Sequence, residues 1–145
     1  MSHIATALQK EYKQNCFRWI ECELKHFPQL KKEIDMLKDE IISTRPGRDA
    51  YVRIPRQYSK SDPTFATTVR LLSNKRLRQM ELVYAAIGTV FEGLPPEKQE
   101  FIQMKYWSNK YSDSRIATEL FVSVSTLYNW RNGILTAIAA EMGYL

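Results

Sequence analysis

The chain has 145 residues, of which 44% are apolar and 26% charged, and this balance is typical of a globular protein rather than a disordered or fibrous one. No stretch approaches the roughly 18 uncharged apolar residues of a membrane-spanning helix, so we expect a soluble protein with no membrane partner. The N-terminus lacks the pattern of a secretory signal, which predicts a cytoplasmic location. Only five Gly and six Pro are present, and this favours long helices over many turns.

The positive charge of the chain is concentrated in its middle third. Residues 1–44 carry seven basic and seven acidic side chains, and residues 93–145 carry five of each. Residues 45–92 carry nine basic side chains against four acidic ones, so they account for the whole net charge of +5. A polyanion would be attracted to this segment first. A solvated loop and helix face explains the same residues without a partner, and charge alone does not separate the two interpretations.

Residues 1–44 are predicted to form a helical hairpin. The apolar residues of its first helix recur at steps of three and four: Leu8, Tyr12, Cys16, Trp19 and Ile20. Pro28 is expected to end that helix. The stripe on the second helix is Leu30, Ile34, Leu37 and Ile41. Such a stripe suits either packing within the chain, the commoner case, or the seam of a homodimer, which makes residues 1–44 a candidate dimerisation region.

The middle third is predicted to contain a basic linker followed by a long central helix. Residues 45–64 hold three of the six prolines and little periodicity, with one candidate strand at Tyr51–Ile54. Asp62 and Pro63 suit the start of a helix, and the apolar pattern continues through residues 65–93. The basic residues of this helix crowd its first half.

Residues 94–145 carry the pattern of a helix-turn-helix domain. A helix opens at Pro95-Pro96-Glu97, where Pro and an acid suit the first turn. Its apolar face is formed by Phe101, Ile102, Tyr106 and Trp107. Ser112 is placed to cap a second, short helix, and Ser123 is placed to cap a third. Two capped helices joined by a short turn are the helix-turn-helix arrangement.

The residues in and between these two capped helices suit close packing. Ala117 is small enough to let the helices cross. The wedge between them is expected to be filled by Ile116, Leu120, Val122, Leu127 and Trp130. Phe121 stands at the turn position where many such motifs have Gly, so its backbone either avoids positive φ or accepts the strain.

The outer face of the last helix is predicted to enter the major groove of double-stranded DNA. The candidate base-reading residues are Val124, Ser125, Tyr128, Asn129 and Asn132. An Asn amide can pair bidentately with adenine, and apolar groups can pack on a thymine methyl. The candidate phosphate contacts are Ser112, Arg115, Ser123, Thr126, Arg131, Arg70, Arg76 and Arg78. Plain solvent exposure is the competing interpretation of each single residue, whereas the motif as a whole favours DNA binding.

The sequence offers no recognisable catalytic or cofactor site. It contains no Ser/His/Asp set, no Gly-rich phosphate loop and no metal-ligand cluster. We therefore predict a non-enzymatic protein without cofactor or metal. The fold predicted from all these patterns is all-α, with an N-terminal helical hairpin, a long central helix and a C-terminal helix-turn-helix bundle.

The C-terminal motifs resemble a family of phage regulators. The segments Leu94–Ile102 and Ser123–Arg131, with Tyr106 and Ile116-Ala117 between them, resemble the ArpU and RinA family of phage late-gene transcription regulators. They are more distantly similar to sigma-factor region 4. The resemblance extends more weakly over most of residues 19–143. It implies a protein of a phage or prophage in a Gram-positive bacterium.

The function implied by this resemblance is activation of late transcription. Such an activator binds upstream of the promoter of packaging and morphogenesis genes, and this makes the host RNA polymerase a candidate partner. An alternative left open by the sequence is a packaging adaptor similar to a small terminase subunit, which would also be helical, oligomeric and able to carry a helix-turn-helix. Particle size would separate the two, because a ring of many subunits favours the adaptor.

Overall fold

The structure, a computed structural model, describes residues 2–43 and 63–145. Within these ranges every regular element is helical, and this confirms the predicted all-α class. In chain order the elements are α1 (Ser2–Ser43), α2 (Pro63–Ser73), α3 (Lys75–Glu92), α4 (Pro96–Ile102), the π-helical segment π1 (Gln103–Ser108), α5 (Asp113–Glu119) and α6 (Val124–Glu141). The candidate strand at Tyr51–Ile54 and nearly all of the basic linker lie outside the described residues.

The predicted N-terminal hairpin is wrong, because α1 continues through Pro28 as one helix. A proline inside a helix has no N–H, so the carbonyl four residues earlier, that of Leu24, loses its helical donor. In this structure the indole Nε1–H of Trp107 donates to that carbonyl at 3.0 Å. The side chain of a distant residue thus takes over the missing backbone bond, which helps the helix to tolerate its proline.

The predicted single central helix is also wrong, because Asn74 divides it into α2 and α3. The Oδ1 atom of Asn74 accepts a hydrogen bond from the Leu77 N–H at 2.9 Å, as an N-cap residue does. The N–H of Asn74 donates to the carbonyl of Arg70 at the end of α2. Asn favours such helix starts over helix interiors, and here this local preference outweighs the continuous apolar pattern.

The described chain divides into two compact units. Unit 1 comprises Met1–Pro28 and Ala85–Leu145, and unit 2 comprises Gln29–Tyr84. The largest fully buried side chains all belong to unit 1: Ile20, Leu24, Ile87, Phe101, Ile102, Ile116, Leu135 and Ile138. The C-terminal helices therefore share a compact unit, and its core, with the first part of α1.

The apolar stripe on the second part of α1 packs within the chain. Leu30, Ile34 and Ile41 are buried, with only 3% of Ile34 exposed. Leu77 and Val83 of α3 are buried in the same unit, where Lys38 and Glu81 also form an ion pair at 3.2 Å. Intrachain packing thus accounts for Leu30, Ile34 and Ile41, whereas Leu37 is half-buried, and dimerisation through residues 1–44 remains a prediction. No described helix is both long enough and apolar enough to span a bilayer.

Candidate nucleic-acid interface

The helix-turn-helix of α5 and α6 is held by the two predicted caps. Ser112 Oγ accepts from the Arg115 N–H at 3.3 Å, and Ser123 Oγ accepts from the Thr126 N–H at 3.2 Å. Each serine has the extended backbone of an N-cap residue. Of the predicted inward positions, Ile116, Ala117 and Leu127 are buried, whereas Leu120, Val122 and Trp130 are half-buried.

The turn between α5 and α6 places an exposed aromatic ring on a strained backbone. Phe121 has φ of 57° and its side chain is 95% exposed. The Val122 N–H donates to the Ala117 carbonyl at 3.0 Å, and the Phe121 N–H donates to the Thr118 carbonyl at 3.3 Å. These two bonds form a Schellman cap, in which the left-handed position is usually Gly. The backbone therefore accepts the strain that the sequence analysis identified.

The π-helical segment π1 directly follows α4 in the chain, and its side chains contact α1. Tyr106 of π1 is buried beside Phe101 of α4, with their ring centroids 6.4 Å apart. The Tyr106 hydroxyl donates to Glu21 Oε2 of α1 at 2.9 Å. The Trp107 ring stacks on Phe27 with centroids 5.5 Å apart. The segment then ends at Asn109, which has φ of 52°.

Glu21 also anchors α6, through an ion pair with Arg131. Burial raises the pKa of the Glu21 carboxyl, but the hydrogen bonds from Arg131 and Tyr106 and the positive charge of Arg131 outweigh it, so this pKa lies below its usual range. The pKa of Tyr106 is raised far above its usual range by burial and by the Glu21 carboxylate, so the phenol remains a donor. The role of Glu21 was not predicted, because no local sequence pattern marks a carboxylate whose partner is 110 positions away.

Most of the candidate base-reading residues lie on the exposed face of α6. Val124, Ser125, Tyr128 and Asn129 are exposed, with 62% of the Tyr128 side chain accessible. Asn132 is half-buried, and its Oδ1 accepts from Arg131 Nη1 at 2.9 Å. Because Arg can only donate, the amide oxygen of Asn132 must face it, and the Nδ2 donors remain for other partners.

The candidate phosphate contacts fall into three groups. Ser112, Arg115 and Ser123 are exposed at the starts of α5 and α6, and Thr126 beside them is half-buried. Arg76 and Arg78 are exposed near the start of α3 in unit 2. Arg70 and Arg131 form the third group, because neither side chain is exposed.

Arg70 does not have the exposure that a phosphate contact needs. Its side chain is 6% exposed, and Nη2 donates to Thr67 Oγ1 at 3.3 Å. The prediction for Arg70 is therefore corrected to a structural role in unit 2, because α2 turns this side chain inward. Arg131 is half-buried, and the hydrogen bond that it donates to Glu21 raises its pKa further, so it is held in the ion pair within unit 1. Its predicted role at phosphate remains a prediction.

Among the described residues no group of three or more His, Cys, Asp or Glu side chains is arranged to hold a metal ion.

Comparisons with known proteins place the chain in one family. No curated protein and no solved structure matches the sequence. One family model matches residues 27–140, a range that begins in the second half of α1 and reaches almost to the end of α6. The chain therefore belongs to the family described as "Protein of unknown function (DUF722)".

Proposed function

We propose that the protein is a sequence-specific, double-stranded-DNA-binding transcription regulator that places the exposed face of α6 in the major groove. One observation carries this proposal. The N-terminal half of α6 is fixed by a Ser123 cap and buries Leu127, while Ser125, Tyr128 and Asn129 remain exposed on its outer side. A rigid helix with free hydrogen-bonding groups is what direct readout of base edges requires.

The resemblance to the ArpU and RinA regulators makes the proposal more specific. On that basis the protein activates late packaging and morphogenesis genes of a phage from a site upstream of their promoter. Its partners are then double-stranded DNA and the host RNA polymerase, in the cytoplasm of the bacterial host. No cofactor or catalytic step is part of this proposal.

Genome-wide DNA pull-down with sequencing tests the proposal most directly. We expect one or a few enriched sites that share a sequence, located upstream of a packaging or morphogenesis operon. The same site cloned before a reporter should raise its transcription when the protein is present. Uniform recovery of genomic DNA without a shared sequence would contradict a regulator.

A packaging adaptor is the second candidate, and one observation favours it. Ile4, Leu8 and Tyr12 recur at four-residue steps on α1, and more than half of each side chain is exposed. A neighbouring subunit could cover such a stripe. The mass of the particle in solution separates the candidates, since a monomer or dimer supports the regulator and a ring of many subunits supports the adaptor.

A further inference from the structure

The first part of α1 and the outer side of α6 enclose a basic cleft in unit 1. The cleft has a volume of about 560 Å³. Three cations of α1 line one side, Lys10, Lys13 and Arg18. Tyr128, Arg131 and Asn132 line the side formed by α6. Two of the candidate base-reading residues therefore share a cavity with the cations of another helix.

The positive charge of this cleft is not neutralised by its lining. No carboxylate is among the lining residues, and Arg131 is already paired with Glu21 nearby. Lys10, Lys13 and Arg18 are exposed, and none of the ion pairs within the described ranges involves any of the three. Lys13 lies 5.4 Å from the Phe17 ring centroid, a contact that orients the ammonium without removing its charge.

The net charge of residues 1–44 does not reveal this cleft, because the basic and acidic side chains lie in different parts of α1. Residues 1–44 are neutral in total, but Glu11 is the only acid among the first 20 residues, against Lys10, Lys13 and Arg18. The remaining six acids follow later in the helix. The three cations are thus concentrated on the part of α1 that belongs to unit 1.

We infer that this cleft binds the sugar-phosphate backbone of the DNA whose bases face α6. The inference rests on the proposed function and adds a phosphate site that the C-terminal motif does not contain. A helix in the major groove, which is about 12 Å wide, has a phosphate backbone on either side of it. Cations on the helix that flanks α6 are placed to meet one of these backbones, and such contacts supply affinity without sequence preference.

The test is the salt dependence of DNA binding by the full chain and by the triple variant Lys10→Gln, Lys13→Gln, Arg18→Gln. Affinity is measured on the enriched duplex and on a scrambled duplex. We expect the variant to bind both duplexes more weakly by a similar factor. The slope of log affinity against log salt should become shallower by up to about 0.9 for each lost phosphate contact.

Two matched control variants distinguish the effect of the location of the three cations from the effect of losing three positive charges. Lys25→Gln, Lys31→Gln, Lys32→Gln removes the same charge from residues of α1 that do not line the cleft, and it should leave the slope unchanged. Lys10→Arg, Lys13→Arg, Arg18→Lys keeps the charge of the cleft and should retain both affinity and slope. Thermal unfolding of each variant checks that the fold is intact, as expected for exposed side chains.

The outcomes distinguish the cleft from the proposed function. If the wild type prefers its duplex and the cleft variant keeps the same slope, the phosphate site is overturned while the regulator stands. If the wild type prefers no duplex, the proposed function fails first. Tighter binding of single-stranded RNA or of anionic lipid vesicles than of duplex DNA, lost in the cleft variant, would overturn DNA as the ligand.

Discussion

Asn129 and Asn132 carry the same amide on the same helix, yet their hydrogen-bonding capacities differ. Asn129 is exposed and offers both a donor and an acceptor, which suits bidentate pairing with adenine. The oxygen of Asn132 already accepts from Arg131, so Asn132 presents chiefly its Nδ2 donors to a new partner. It suits acceptors such as guanine O6 and N7, thymine O4 or phosphate.

Asn129→Ala should therefore cost about 1–3 kcal/mol on the preferred duplex and little on a scrambled one. The fold should be kept, since the side chain is exposed and Ala is the better helix former. Competition binding on both duplexes measures the difference. Arg115→Ala is the comparison, because loss of a phosphate contact weakens both duplexes alike. Equal losses for Asn129→Ala would show that it reads no base.

Phe121→Gly should raise the free energy of unfolding by about 0.5–1 kcal/mol. A non-Gly residue in the left-handed region costs about 1–2 kcal/mol, and the flexibility of Gly in the unfolded chain offsets part of that gain. The ring contributes no packing, since it is almost fully exposed. Gly143, with φ of 83° in the same kind of cap after α6, is the matched control, and Gly143→Ala should lower the stability.

Urea unfolding measures both changes, and DNA binding is measured beside it. Strain of this kind persists where a function requires it. If the Phe121 ring touches a partner, Phe121→Gly will be more stable and bind less well. A fall in stability would instead show that the ring packs against its own chain.

At the scale of whole helices, Trp107 compensates for the backbone hydrogen bond that Pro28 removes from α1. Trp107→Phe should cost about 1–3 kcal/mol, because it leaves the buried Leu24 carbonyl without a donor. Pro28→Ala restores a backbone N–H that can reach the same carbonyl. The cost of Trp107→Phe should then shrink in the Pro28→Ala background. Urea unfolding of the four proteins gives the coupling, and additive costs would contradict the compensation.

Glu21 of α1 binds side chains of π1 and α6. The loss of stability on replacing it should therefore depend on pH. Its pKa is lower in the folded protein than the unfolded value of about 4.3, so the stabilisation is complete above that value and is lost as the pH falls through the folded pKa. Glu21→Gln should cost about 1.5–3 kcal/mol at pH 7 and less at pH 3. Unfolding at both pH values measures this. The exposed Glu11→Gln is the control, and a pH-independent cost for Glu21→Gln would refute the ion pair.

At the scale of the whole molecule, the features predicted correctly are those that depend on residues close together in the sequence. The caps Ser112 and Ser123 and the buried Leu127 follow from residue type and helical spacing, and all three were predicted correctly. The continuity of α1 does not follow, because the donor that compensates for Pro28 is 83 positions away. The basic cleft was missed because opposite charges cancel within residues 1–44 although they are separated along the helix.

Because the C-terminal helices share unit 1 with the first part of α1, we expect them to need that part of α1 to fold cooperatively. A fragment of residues 85–145 lacks Ile20 and Leu24, which are fully buried in the chain, and it leaves Tyr106 and Trp107 without their α1 acceptors. We expect this fragment to show helical circular dichroism but no cooperative thermal transition. Adding a peptide of residues 2–28 should restore the transition. A cooperative fragment alone would show that the C-terminal module is self-sufficient.

The division of unit 1 into two chain segments also fixes the order of events during synthesis. Residues 1–28 are synthesised before unit 2, and the π1 and α6 residues that contact them are synthesised after it. Until then the apolar face of Phe17, Ile20 and Leu24 has no partner from unit 1. Unit 2, continuous in sequence, has all its residues available earlier. The core of unit 1, which includes Leu135 and Ile138 of α6, can therefore form only after α6 has been synthesised.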